Sequence, residues 1–269
     1  MSYTFGAALT DIVHITPPSL LYLGGQRDIF FTGWFYPTSL TPARWYWSVG
    51  SVAGAQVATD SSEILLTTNN TVDGTWLTSG LGMVTDKWQF LAFLCSPDVA
   101  GAWRVWRGDK ETAPIVNTPA VVTPVTGGFT GSGNLCLGNL GPTGALAFQG
   151  DIGAFTAMTV FGASYRRPIP HELNGVITDA DAALIERRLV LPFWRGVLNN
   201  SLYSFAGNSS WGNLSIDLTA PLVRVQQRSN FVASGNLTPT IVGATFSEHQ
   251  PPVRLPANFP GRFLVDGGL

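Results

Sequence analysis

Closely paired carboxylates are the first chemistry to look for in a chain with 17 acidic side chains. Retaining glycoside hydrolysis needs two carboxyl groups about 5 Å apart, a spacing that neighbouring inward positions on one strand supply. The five glutamates stand at 63, 111, 172, 186 and 248, too scattered for any two to share a strand. His14, His171 and His249 are single and lie near prolines. No H-x-x-x-H or C-x-x-C pair offers a zinc site. Neither a G-x-S-x-G nucleophile elbow nor a G-x-x-x-x-G-K-[ST] phosphate loop occurs. Asp60, Asp73, Asp86, Asp98 and Asp151 fall near expected strand ends, where calcium ligands converge, but turns favour Asp there in any case. The reading is therefore non-enzymatic, with no metal and no cofactor. Cys95 and Cys136, in the apolar runs FLAFLCSP and GNLCLGN, read as small buried thiols.

Two binding chemistries remain. Sugar rings stack on indole faces, which makes Trp45, Trp47, Trp76 and Trp211 the candidates for a glycan platform, against a background in which strand Trp is usually core. Thirteen of the 15 basic residues are Arg, the cation suited to planar contacts at interfaces. Arg44, Arg104, Arg107, Arg224, Arg228, Arg254 and Arg262 are the interface candidates.

These residues must be carried on strands. Thirty Gly and 18 Pro beside nine Trp and 16 Phe describe many short strands joined by tight turns. A hydrophobic share of 45% with 12% charged residues excludes intrinsic disorder, and a net charge of −2 argues against a nucleic-acid binder that relies on overall charge. No run is long and apolar enough for a membrane span, and Met1 to Thr10 carries no secretory pattern. Strands are expected at 28–37, 44–50, 63–67, 75–78, 88–94, 102–107, 134–138 and 148–161. The run Trp88-Gln-Phe-Leu-Ala-Phe-Leu94 is too apolar for a strand with one wet face and belongs in the middle of a packed sheet. In 102–107, Arg alternates with apolar residues, which predicts one buried face. A Gly-Asp turn follows at 108 and 109, and 112–134 reads as a meandering connection. One helix is expected at 178–190: Thr178 is its N-cap, Asp179 and Asp181 suit the positive end of its dipole, and Pro192 stops it.

Three segments follow: 1–27 leading in, 28–220 as the sandwich, and 221–269 as an extended Pro-rich arm with prolines at 221, 239, 251, 252, 256 and 260. Ordering such an arm costs roughly 1 to 2 kcal/mol per residue in backbone entropy. An extensive surface must therefore hold it, either the domain's own or that of neighbouring subunits, and the second is the expectation.

The series from Asp28 to Phe161 resembles the concanavalin A-like lectin/glucanase superfamily, in its laminin G-like and pentraxin-like branch. Phe31-Thr-Gly-Trp-Phe-Tyr-Pro-Thr-Ser39 is similar to that family's early aromatic-T-x-x-W-x-x-P strand, and Trp88-Gln-Phe-Leu-Ala-Phe to its central W-h-h-h-A strand. Val105-Trp-Arg-Gly-Asp109 is similar to its h-Y-h-D-G hairpin, with Gly and Asp exchanged. Leu135-Cys-Leu-Gly138 and Phe148-Gln-Gly-Asp-Ile-Gly153 resemble its closing strands. The resemblance implies an all-β fold, an antiparallel two-sheet jelly-roll sandwich with one short C-terminal helix and the extended tail. The glucanase E-x-D-x-x-E pattern is missing.

The expected function is structural: a phage or viral capsid decoration (cement) or head-fibre protein, located in the virion, homo-oligomeric and contacting the major capsid protein or its equivalent, with no nucleic-acid or membrane partner. The alternative is a lectin-like receptor-binding or adhesion module that binds a glycan.

Overall fold

Aromatic and β-branched residues alternate along most of the expected strands, and each such strand turns one set of side chains toward a shared core. The structure, a computed structural model of the chain, describes residues 2–6, 12–15, 28–41, 44–49, 53–58, 62–69, 73–96, 102–124, 135–141, 146–160, 177–195, 224–226, 240–243, 245–247, 249 and 252. The strands are β1 (Ser2–Phe5), β2 (Ile12–Ile15), β3 (Asp28–Pro37), β4 (Trp45–Val49), β5 (Ala53–Val57), β6 (Ile64–Asn69), β7 (Asp73–Leu77) and β8 (Gln89–Ser96). They continue as β9 (Ala102–Asp109), β10 (Ile115–Asn117), β11 (Ala120–Thr123), β12 (Leu135–Leu137), β13 (Gly150–Val160), β14 (Arg224–Gln226), β15 (Thr240–Val242) and β16 (Thr245–Ser247). The first sheet runs β10-β9-β8-β3-β13-β1-β16, with β14 added in parallel to β13. The second runs β11-β7-β6-β5-β4-β12-β2-β15. The chain is an all-β jelly-roll sandwich.

Between the sheets, Phe31 and Phe35 of β3 and Leu91 and Phe93 of β8 meet Tyr46, Trp47, Ala55, Leu66 and Trp76 of the second sheet. The opposite side of the first sheet is equally apolar, with Phe30, Trp34, Phe90, Ala92, Leu94 and Trp106, and it is covered by helix. This explains why β8 has no wet face. The cover consists of α1 (Asp179–Ile185), one π-helical stretch (Glu186–Val190) and α2 (Leu191–Arg195). Ala182, Ile185, Leu189, Val190, Phe193 and Trp194 point into that second core. Pro192 does not end the helix. It falls in the first turn of α2, directly after a π turn closed by the Leu191 N–H on the Glu186 carbonyl. Pro is tolerated in a first turn, and the wider turn relieves its clash with the preceding carbonyls.

Arg104 shows the consequence of this second core. Alternation predicted one exposed face for β9, yet Arg104 is buried. Its guanidinium donates to the carbonyls of Trp103 and Ile177 and reaches Asp179 at 3.5 Å. The side chain ties the start of α1 to β9, and Trp106 adds an indole N–H to Glu186 at 3.0 Å.

Several expectations are corrected. The sandwich is wider than 28–220, because β1 and β2 lie inside the sheets. Residues 112–134 are more than a connection, since β10 and β11 each close one sheet. The described parts of 221–269 are held by the chain's own strands: β14 pairs with β13, β15 with β2 and β16 with β1. Backbone hydrogen bonds to those strands offset the ordering cost that the sequence reading assigned to other subunits.

Candidate functional site

The tryptophans expected at the surface are internal wherever the structure describes them. Trp45, Trp47 and Trp76 are each 1% exposed, so none can offer a face to a sugar. Trp47 stacks on Phe31 with centroids 3.9 Å apart and packs against Phe93 and Trp103. Trp76 lies beside Trp103. Trp45 bridges to Ala147, its backbone N–H bonded to the Leu146 carbonyl. Trp211 lies outside the described residues.

The Arg candidates divide in the same way. Arg44 is buried and donates to the Ala147 carbonyl at 2.8 Å, and desolvation lowers its pKa. Arg104 is internal, as described above. Arg107 is half-buried and forks onto the Gln89 side-chain oxygen at 3.1 and 3.2 Å. All three are engaged within the sandwich, and burial removes Arg44 and Arg104 from the accessible surface. Arg224 begins β14, and Arg228, Arg254 and Arg262 lie outside the described residues.

Of the titratable groups, Glu63 accepts the Thr78 hydroxyl at 2.6 Å and the Leu81 N–H at 3.1 Å, which pins the 78–83 loop. The Asp109 carboxylate accepts the N–H groups of Glu111 and Thr112 at the β9–β10 turn. Burial alone would raise its pKa. Those two bonds, the Thr112 hydroxyl and the Arg107 charge outweigh burial and hold it below the usual carboxylate value. Among the described residues, no group of three or more His, Cys, Asp or Glu side chains is placed to hold a metal ion. Asp60, Asp98 and His171 lie outside the described residues.

Burial raises the Cys136 thiol pKa to about 12, with Ser48 acting in the opposite direction. Two outcomes follow. Cys136 should resist iodoacetamide in the native protein and react once the chain is unfolded, as read by peptide mapping. Because the thiol proton is held in the folded state to higher pH than in the unfolded chain, Cys136 should subtract stability as pH rises above its ordinary value near 9. Native Cys136 alkylated at the rate of the unfolded chain would contradict this placement.

Two exposed surfaces lie elsewhere. The first is a patch on the outer side of the first sheet, where the ends of β3, β8 and β13 meet the tail. Tyr36 and Trp88, both half-exposed, lie 5.6 Å apart, and the His249 ring packs at 4.2 Å from Tyr36 and 5.1 Å from Trp88. Asp151 accepts the Thr4 hydroxyl at 2.5 Å and contacts His249 Nδ1 at 2.9 Å. The Trp88 indole N–H reaches His249 Nε2 at 3.0 Å. An indole can only donate, so Nε2 accepts and the ring proton sits on Nδ1, where it is donated to Asp151. Nε2 is thus already engaged by the Trp88 indole. No local spacing announces the patch, because it depends on where the tail docks.

The second surface is one flank of the sandwich. Ile115, Val116, Val121 and Val122 on β10 and β11 are 68%, 41%, 52% and 58% exposed. Residues 112 to 150 contain no charged side chain and no His. That gap in the charge pattern was the available signal.

No known protein family and no curated protein sequence matches the chain. Among solved structures it is similar to a candidate carbohydrate-binding protein of Bacteroides ovatus, at 10% identity and a TM-score of 0.42 over 58% of this chain and 42% of that one. It is also similar to the LG4-5 domains of the mouse laminin α1 chain, at 13% identity and a TM-score of 0.34 over 65% of this chain and 48% of that one. The match therefore spans less than half the length of either protein.

Proposed function

We propose that the chain is a non-enzymatic structural subunit that works by docking against other protein subunits in a large assembly, a virion shell or fibre being the assembly in view. The observation that carries this reading is the pair of uncharged edge strands, β10 and β11, with their four exposed aliphatic side chains. Exposed aliphatics on uncharged edge strands are what proteins avoid unless the edge is covered in use. The braced Arg residues and the engaged Asp–His pair favour a rigid scaffold over a catalyst.

The test is co-sedimentation of the purified chain with empty particles from the same source. Saturable binding is expected, abolished when Ile115 and Val121 are both replaced by Lys. Absence of binding, or binding indifferent to the double substitution, sinks the proposal. The lectin-like reading survives on different residues, because Tyr36 and Trp88 form a half-exposed aromatic pair beside a carboxylate. A sugar stacking there would share the pad with His249. Glycan-array binding that disappears in Trp88→Ala, with no particle binding, would put that reading first.

A further inference from the structure

The exposed flank is built from one continuous run that closes both sheets. β10 ends the first sheet and β11 ends the second, joined by Thr118 and Pro119. On the opposite flank β15 and β16, from the tail, finish the two sheets. Successive strand residues point to opposite faces, so Ile115 and Val116 are exposed on opposite faces of β10. Val121 and Val122 leave β11 in the same condition, with a register shift between Val121 and Thr123.

The geometry narrows what can cover this flank. Face-to-face sheets lie about 10 Å apart, so a partner that extends both must bring two strand edges at that separation. A single extended peptide would complete only one. A second copy of this chain has both edges at the required spacing. A two-fold axis normal to the sheets and placed at the flank sets β10 antiparallel to its own copy in one layer and β11 antiparallel to its own copy in the other. The contact is self-complementary, and the two strands that form it, Ile115–Asn117 and Ala120–Thr123, carry no charged side chain. Pro114, Pro119 and Pro124 lack N–H donors and bound the two runs, which confines pairing to the three residues of β10 and the four of β11. Pairing so confined favours a closed dimer over slippage into longer arrays.

We propose that this flank seats a two-fold homodimer in which β10 and β11 each pair with the same strand of a second copy. The inference deepens the docking reading above by naming the occupant of the flank. An edge contact of this kind belongs at the small end of specific interfaces, roughly 1,200 Å² in total, so the dimer should be reversible and dependent on concentration.

The experiment is sedimentation velocity on the full chain at micromolar concentrations, with Ile115→Lys/Val121→Lys as the variant. Both positions are exposed, so the melting temperature of the variant should match that of the wild type and exclude a folding defect. The wild type is expected to reach twice 28.8 kDa and go no further, and the variant to remain at the single-chain mass. A monomeric wild type, an open-ended series of larger species, or a dimer that persists in the variant overturns the proposal. The two readings fail separately. A monomer that still needs Ile115 and Val121 to bind particles removes the homodimer and leaves docking, whereas a Lys-sensitive dimer with no particle binding does the reverse.

Discussion

Gly150→Ala is expected to cost at least about 4 kcal/mol of stability, in the range that marks a defined steric fault. Gly150 opens β13 and pairs with Phe5 of β1 on one side and Pro37 of β3 on the other. Its φ of +127° is a conformation that L side chains rarely adopt, which alone costs roughly 1 to 3 kcal/mol. A Cβ there would also lie 1.9 Å from the Tyr36 carbonyl oxygen. That obstacle is backbone, so relief requires β3 to move away from β13 and no rotamer change suffices. Gly80→Ala is the control. Its φ is +73° and nothing lies within 4 Å of a Cβ, so only the conformational cost of roughly 1 to 2 kcal/mol applies. Thermal unfolding should separate the two, since a chain of this size shifts by about 2 to 4 °C per kcal/mol. Equal shifts for Gly80→Ala and Gly150→Ala would show that β3 and β13 do not meet as described.

Where local pattern and packing agree, the fold was legible from the sequence. β3, β8 and β9 were recognisable because Phe31, Phe35, Phe93 and Val105 recur at strand spacing between turn residues, and burial reinforces that preference. β5 was not recognisable: Ala-Gly-Ala-Gln-Val has little intrinsic strand preference and is held by pairing with β4 and β6. β10 and β11 were hidden by prolines that read as loop, although proline is admissible on edge strands. Docking of the tail was unreadable because β15 and β16 are three residues each and their partners lie at the other end of the chain.

The candidate site failed for a related reason. Local alternation distinguishes two faces of a strand but does not say whether the outer face is wet. Helix covers Arg104 and Trp106, and a turn covers Ser48, whose hydroxyl donates to the Asn139 carbonyl and accepts the Gly141 N–H. A register shift between Trp45 and Trp47 breaks the alternation where the glycan platform was expected, leaving Trp45, Tyr46 and Trp47 all buried. What did survive on the surface was marked by missing charge, a feature of a long window and not of any motif.

Trp47→Ala should destabilise the protein by about 3 to 5 kcal/mol, the range for emptying a large aromatic site in a core. Trp47 bridges the two sheets, stacked on Phe31 and edged by Phe93 and Trp103, so no single neighbour can collapse into the space. Its indole N–H has no hydrogen-bond partner, and removing an unsatisfied buried donor recovers part of its desolvation cost. Trp47→Phe should therefore lose much less than Trp47→Ala, about 2 kcal/mol or under. Trp106 provides the opposite case. Its N–H is donated to Glu186, so Trp106→Phe strands a half-buried carboxylate as well as losing volume and should cost more than Trp47→Phe. Urea denaturation midpoints of these three variants decide the matter, and a Trp47→Phe loss equal to that of Trp47→Ala would contradict the bridging role. The same numbers govern how binding data are read. A variant lacking Trp47 that fails to bind a glycan reports a damaged core, whereas Trp88, half-exposed at the rim, can be removed with the sandwich intact and is the indole whose loss tests recognition.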